Sequence, residues 1–140
     1  MKKIYTAQEV RGFNQKYQEN FQKSEIKDRL VFLSHCLKPA LIEEITSLAL
    51  SLGYQKEHIF IVGGFTAVEE KLKEFKNPPF IGIACPREII QGRESLNETN
   101  NINAQAAALT FFRCPFIKLG QAVEGESEVD VEEAKRILSL

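Results

Sequence analysis

Histidine is scarce in this chain, and so are the motifs by which common hydrolases are recognised. The 140 residues include only two histidines, His35 and His58. Because histidine is the side chain that most often acts as a general base near neutral pH, hydrolytic catalysis has little support. The sequence also has no Gly-x-Ser-x-Gly, His-Glu-x-x-His or Cys-x-x-Cys motif. Serine hydrolases, zinc proteases and dithiol oxidoreductases of the usual kinds are therefore not indicated.

Long apolar runs and an excess of one charge are missing as well. No segment approaches the roughly 18 apolar residues that cross a bilayer, and the first residues lack the apolar core of a signal peptide. The formal net charge of -1 and the pI near 6.2 leave no broad positive field for a phosphate backbone. We therefore expect a cytoplasmic protein that has neither a membrane nor a nucleic acid as partner.

Cysteine is sparse, and its three positions are far apart in the chain. Cys36, Cys85 and Cys114 are odd in number and do not have the spacing of a secreted disulfide framework. In a reducing compartment such cysteines are buried apolar residues, metal ligands or reactive thiols. The sequence leaves these three roles open.

The overall amino-acid composition is that of one globular domain. Hydrophobic residues make up 44% and charged residues 26% of the chain, which is close to the average for soluble proteins. Residues 1–29 are expected to form an N-terminal amphipathic helix, over about residues 7–27, packed on an α/β domain at 30–140. Its apolar residues follow helical spacing: Val10, Phe13, Tyr17 and Phe21. Packing on the chain's own sheet is favoured for this stripe, and a homodimer contact is the alternative.

Short apolar runs alternate with helical patterns through the rest of the chain. The strand-like runs are residues 30–34, 59–62, 80–84 and 106–112. Helices are expected from Pro39 to a left-handed cap at Gly53, after Gly64, from Pro86 through Ile90, and after Asp130. Connections of this length favour right-handed crossovers. The expected fold is a three-layer α/β sandwich with a mostly parallel, Rossmann-like sheet of about four strands and an extra N-terminal helix.

The carboxyl ends of the strands are where a ligand site is expected in such a sheet. Cys36, Cys85 and Cys114 each follow a predicted strand. Pro86 favours a helix that starts directly after Cys85, and the helix dipole with Arg87 nearby would lower the pKa of its thiol. Cys85 is therefore the candidate catalytic thiol, and a merely buried cysteine is an equally weighted alternative.

Two further features lie at the same predicted edge. Gly63-Gly64 precedes a helix and resembles an anion-binding turn, so Gly63, Gly64 and Arg87 are candidate cofactor-binding residues. A requirement for glycine in the turn geometry is the favoured alternative. His35 adjoins Cys36 and is a weak candidate metal ligand, because neighbouring strand residues point to opposite faces.

The order and spacing of four segments resemble the domain of unknown function family number 116. The segments are Ser34-His35-Cys36-Leu37-Lys38, Val62-Gly63-Gly64, Gly82-Ile83-Ala84-Cys85-Pro86-Arg87-Glu88, and Cys114 followed by Glu128-Val129-Asp130-Val131. The resemblance runs from about Leu30 to the carboxyl end, and the Gly-x-Ala-Cys-Pro-x-Glu segment is its most specific part.

This resemblance implies a metal or iron–sulfur site, with one departure from the family pattern. Family members carry a further cysteine cluster that this chain lacks, since no cysteine lies between Cys36 and Cys85. The resemblance implies that Cys36, Cys85 and Cys114 are metal ligands. They would bind zinc, with His35 or water as the fourth ligand, or an iron–sulfur cluster. Equally, a shortened member could retain the scaffold without any cofactor.

Two functions of a different kind also fit the sequence. One is a thiol-dependent enzyme that uses Cys85. The second is a degenerate, non-catalytic module that binds a small anion or interacts with a partner. A small molecule is therefore an expected partner beside a metal ion.

Overall fold

The computed structural model describes residues 7–96, 103–111, 113 and 115–140, which form an α/β fold. These ranges contain five α-helices: α1 (Ala7–Lys23), α2 (Pro39–Ser51), α3 (Phe65–Glu74), α4 (Pro86–Leu96) and α5 (Val131–Leu138). They also contain seven strands: β1 (Leu30–Ser34), β2 (Ile59–Val62), β3 (Phe80–Ala84), β4 (Ala104–Phe111), β5 (Phe116–Lys118), β6 (Gln121–Val123) and β7 (Glu128–Val129). None of these helices has both the length and the apolar character needed to cross a membrane.

Five of the strands form one sheet in the order β2-β1-β3-β4-β7. The first four are parallel, and β7 pairs with β4 in the antiparallel sense. Strands β5 and β6 form a separate antiparallel hairpin. The predicted α/β class and mostly parallel sheet are confirmed, whereas the expected number of about four strands is not. The three additional strands have only two or three residues each, which is too short for a recognisable hydrophobic pattern.

Several predicted helix ends agree with the structure and others do not. Gly53 follows α2 with φ 102°, the left-handed conformation expected of its cap. Helix α1 ends at Lys23, earlier than predicted, and Ile26–Asp28 form a separate 3-10 turn. Helix α4 continues to Leu96, well beyond the predicted end at Ile90.

One face of the sheet is filled by large aliphatic side chains, and we call it the packed face (Val31, Leu33, Ile81 and Ile83). These residues belong to one cluster with α2 and α5, and each is at most 1% exposed. Because side chains alternate along a strand, the intervening residues of β1 and β3 point to the opposite face. Fully burying one such aliphatic side chain contributes roughly 1.5–3 kcal/mol, so this cluster is a major source of stability.

Helix α1 packs along β4 and is attached to it through a buried asparagine. The Asn14 Nδ2 group donates to the Ala106 carbonyl at 2.7 Å, and Asn14 Oδ1 accepts from the Ala106 N–H at 2.8 Å. Asn14 thus takes the place of a neighbouring strand for Ala106. Three of the four residues of the apolar stripe of α1 are buried within the same chain, with Val10 at 4%, Phe13 at 7% and Phe21 at 0% exposure, and Tyr17 is partly buried. A homodimer contact through α1 would therefore have to use its other faces.

A buried arginine, Arg29, forms hydrogen bonds with residues of several elements on the side of the packed face. Arg29 is 1% exposed and donates to the Tyr54 hydroxyl, the Phe21 carbonyl and Ser24. The Tyr54 hydroxyl in turn donates to the Leu138 carbonyl at 2.9 Å. Burial is the main cause that raises the pKa of Tyr54 above its ordinary value.

Candidate functional site

Cys36 lies two residues beyond the end of β1, in a segment that hydrogen-bonds to the loop preceding β7. Its carbonyl accepts from the Ser127 N–H at 2.8 Å, and its own N–H donates to Ser34 Oγ at 3.1 Å. A Cβ atom on Gly125 would lie 2.4 Å from the Cys36 carbonyl oxygen, so only glycine fits at position 125. Cys36 itself is 3% exposed. The backbone at Cys36 is therefore held by hydrogen bonds to Ser34 and Ser127 and by the close approach of Gly125.

The sulfur chemistry at Cys36 differs from the expectation of three reduced cysteines. Cys36 is disulfide-bonded and is therefore not a thiolate. The side chain of His35 is exposed, and its ring lies 3.6 Å from where a Cβ on Gly63 would be. Cys114, the third expected ligand, lies outside the described residues. Within the described ranges, no group of three His, Cys, Asp or Glu residues is arranged to hold a metal ion.

Cys85 is a free thiol at the start of α4, as its position before Pro86 predicted. The thiol donates to Glu88 Oε1 at 3.1 Å. Burial is the largest cause of a raised pKa, and the Glu88 carboxylate raises it further, while the backbone N–H groups of Glu88 and Arg87 act in the opposite direction. The expected lowering of this pKa is therefore wrong, because desolvation and an adjacent carboxylate outweigh the helix terminus.

The two glycines of the turn after β2, Gly63 and Gly64, lie in different surroundings. Gly63 is exposed, as is Arg87 on α4. Gly64 has extended backbone (φ 171°), which any residue adopts, and it lines a cavity. Of the three candidate cofactor-binding residues, only Gly64 lines this cavity.

The cavity lies on the face of the sheet opposite the packed face, and it was not predicted from the sequence. It has a volume of about 70 Å³ and lies between the sheet and the helices α1, α3 and α4. We call this side of the sheet the cavity face. Four small residues of β3 and β4 line it: Gly82, Ala84, Ala104 and Ala106. A Cβ added to Gly82 would have no atom within 4 Å, so the space above this glycine is open.

The sequence does carry the pattern that produces this space. In β3, Ile81 and Ile83 alternate with Gly82 and Ala84, so after Phe80 one face of the strand receives large aliphatic side chains and the other small ones. This alternation does not show whether side chains of the covering helices fill the space above the small residues or leave it open. That outcome depends on how α1, α3 and α4 pack.

The walls of the cavity are mainly aromatic and aliphatic. Phe13 of α1, Phe65 and Val68 of α3, and Phe32 and Phe80 of the sheet all line it. Such a lining is typical of small-molecule sites, where apolar walls provide contact area and a few polar groups provide orientation.

Two charged residues of α4, Glu88 and Arg93, also line the cavity. Five residues of helix separate their Cα atoms by about 7.5 Å along the axis. Glu88 accepts the Cys85 hydrogen bond, whereas the buried Nε of Arg93 has no hydrogen-bond partner. No ion pair involves Arg93 among the described residues. The cavity is thus apolar with opposite charges at separate points along its helical wall.

Comparison with known proteins finds a similar relative but no function. The chain is similar to an uncharacterized protein of Methanocaldococcus jannaschii, at 30% identity over an aligned length of 107 residues. The match covers 63% of this chain and 48% of that protein, so the chain spans about half the length of the curated relative it matches. No family model and no solved structure match the chain. The resemblance to family number 116 therefore stays a prediction.

Proposed function

We propose that this protein binds a small, largely apolar molecule in the cavity on the cavity face. The observation that carries the proposal is the lining by Gly82, Ala84, Ala104 and Ala106, which leaves about 70 Å³ unfilled beneath three helices. Apolar clefts with a few polar groups in their lining are the usual form of small-molecule sites, so a space of this size and lining suits an occupant.

The position of the cavity supports the same proposal. Its lining reaches from Phe80 and Ala104, the first residues of β3 and β4, to the carboxyl end of the sheet, where it includes Ser34, Val62 and Ala84, the last residues of three parallel strands. Ligands of open parallel sheets bind outside these carboxyl ends. We infer a Rossmann-like, three-layer arrangement on the same basis, since separate apolar clusters lie on the two faces of β1. A small-molecule site at this edge agrees with such an arrangement.

Xenon binding tests this function, because xenon enters apolar cavities without requiring a polar partner. We expect xenon to shift the backbone amide resonances of Gly82 and Ala106 in the full chain. The Gly82→Val variant should abolish these shifts, since its side chain occupies the open space. Gly12→Val is the matched control, because Gly12 is exposed and a Cβ there meets no atom within 4 Å. Shifts that are absent in the unmodified protein, or that persist in Gly82→Val, would contradict the proposal.

A second candidate function is metal or iron–sulfur binding by Cys36, Cys85 and Cys114. One observation favours it: Cys36 and Cys85 follow the adjacent strands β1 and β3 and pack in the same cluster. Cys36 would have to be reduced first, which suits the cytoplasmic location predicted from the sequence. Thiolates of this kind hold zinc or iron. The described residues alone supply too few ligands, so this candidate ranks second.

Anaerobic reduction followed by metal analysis tests the second candidate. The reduced chain should retain zinc or iron after desalting, and Cys36→Ser, Cys85→Ser and Cys114→Ser should each lose it. Retention by all three variants, or a colourless and metal-free reduced protein, would remove this candidate. A thiol-dependent enzyme has less support than either candidate, because the pKa of Cys85 is raised.

A further inference from the structure

We propose that the occupant of the cavity is a small aliphatic monocarboxylate whose charge pairs with Arg93. The inference rests on the proposed small-molecule function and specifies its ligand class. Arg93 lines the cavity, its Nε is shielded from solvent, and that atom has no hydrogen-bond partner. An anion bound in the cavity would supply the missing acceptor.

Arg93 differs from the other described arginines, which either have an acceptor or, like Arg11 and Arg87, are exposed to water. Arg29 is more deeply buried but donates to a hydroxyl and to carbonyl groups. Arg113 and Arg136 are more exposed, and each pairs with a glutamate, at 3.1 and 2.8 Å. Burying part of a charged group without a partner is costly, and such groups are ordinarily paired. The difference therefore indicates a ligand group that accepts a hydrogen bond and carries negative charge.

The shape of the guanidinium and the size of the cavity narrow the ligand class. Arginine binds a carboxylate through two parallel hydrogen bonds. A cavity of about 70 Å³ has room for roughly five to seven water-sized groups, at about 10–15 Å³ for each. This matches an acid of about five to seven non-hydrogen atoms. The aromatic walls at Phe32, Phe65 and Phe80 suit a hydrocarbon body, which inorganic phosphate lacks.

Glu88 further restricts the ligand to a single negative charge. Glu88 lines the same cavity, and its carboxylate already accepts the Cys85 hydrogen bond. A dicarboxylate that reached along α4 would place its second charge near Glu88, where like charges repel. A monocarboxylate with its apolar end towards Gly82 avoids this repulsion.

Calorimetric titration with isobutyrate and with the uncharged isobutyramide at pH 7 tests the inference on the full chain. The two probes have nearly the same shape, so the ratio of their affinities reports the contribution of charge. We expect isobutyrate to bind at least about tenfold more tightly. In Arg93→Gln this ratio should fall to about one, whereas Arg11→Gln, which changes an exposed arginine outside the cavity lining, should leave it unchanged.

The xenon experiment separates failure of this inference from failure of the proposed function. If xenon binds but isobutyrate and isobutyramide bind equally well, the carboxylate class is wrong and the small-molecule site stands. If neither xenon nor either organic probe binds, both proposals are overturned. The ratio measured in the unmodified chain decides the point even where Arg93→Gln does not fold. If a folded Arg93→Gln variant still binds isobutyrate more tightly than isobutyramide by the same ratio, Arg93 is not the charge partner.

Discussion

The two faces of the sheet are built by the same strands, yet only one of them is filled. On the packed face, Ile81 and Ile83 are at most 1% exposed and pack with α2 and α5. On the cavity face, Gly82 and Ala84 of the same strand leave a space beneath α3 and α4. Alternation along a strand therefore allows one face to provide stability while the other forms a site.

Removing a large side chain from the packed face should have the largest effect. Ile83→Ala is expected to lower the free energy of unfolding by about 2–5 kcal/mol, because the deleted atoms leave a cavity that the surrounding cluster only partly closes. Urea denaturation checks this value. Ala84→Gly, at the next position on the other face, should cost clearly less. If Ile83→Ala and Ala84→Gly lowered the free energy of unfolding equally, the two faces would not differ in packing.

Adding a methyl group beside Cys36 should have the next largest effect. Gly125→Ala places a Cβ 2.4 Å from the Cys36 carbonyl oxygen, which is backbone and cannot rotate away. The expected loss is about 1–3 kcal/mol, as is typical of overpacking. The control is Gly12→Ala, where the new Cβ is unobstructed. Thermal unfolding that is unchanged in Gly125→Ala would contradict the close approach of the two segments.

Adding a methyl group to the cavity face should instead stabilise the protein. Gly82→Ala is expected to raise the free energy of unfolding by about 0.5–1 kcal/mol, because glycine within a strand costs conformational entropy and the new Cβ meets no atom within 4 Å. Urea denaturation measures the change. A loss of stability in Gly82→Ala would mean that the space over β3 is smaller than described.

The smallest effect should be a decline of stability at alkaline pH that depends on Cys85. The pKa of this thiol is raised above the ordinary value of 9.0, so the folded state holds the proton more tightly than the unfolded state. The resulting stability is present below about pH 9 and is lost as the pH rises through the folded pKa. Urea denaturation at a series of pH values measures it.

Cys85→Ser provides the control for this decline. Serine keeps a capping side chain before α4, so the helix should be retained. The variant should lose the first part of the decline and keep the part from Tyr54, whose raised pKa starts from 10.0. An identical pH dependence in the variant and in the parent chain would show that the Cys85 proton does not contribute.

Much of the sheet was predictable because its strands have strong local patterns. The runs at 30–34, 59–62 and 80–84 agree with β1, β2 and β3 residue by residue. The strand-like runs predicted from the sequence do not include the hairpin of β5 and β6, since its side chains are mostly exposed and no buried face imposes alternation. Strand β7 has two residues and exists only because β4 lies beside it. Local sequence carries no information about such pairing.

The candidate site was predictable only in its location at one edge of the sheet. The position of Cys85 before a helix followed from Pro86, but the direction of its pKa shift did not, because burial and Glu88 outweigh the helix terminus. The disulfide at Cys36 was also unexpected. Cys114, the third cysteine of the prediction, lies outside the described residues, so its role stays a prediction.

The amino-acid sequence by itself determined the α/β class, the parallel strands and the alternation of large and small residues in β3. Each of these depends on neighbours along the chain and on the two-residue period of a strand. Only the tertiary structure decided that α1, α3 and α4 border a space over Gly82, and that Arg93 lines this space with its Nε unpartnered. Both outcomes depend on distances between elements that are far apart in the chain, which no local pattern specifies.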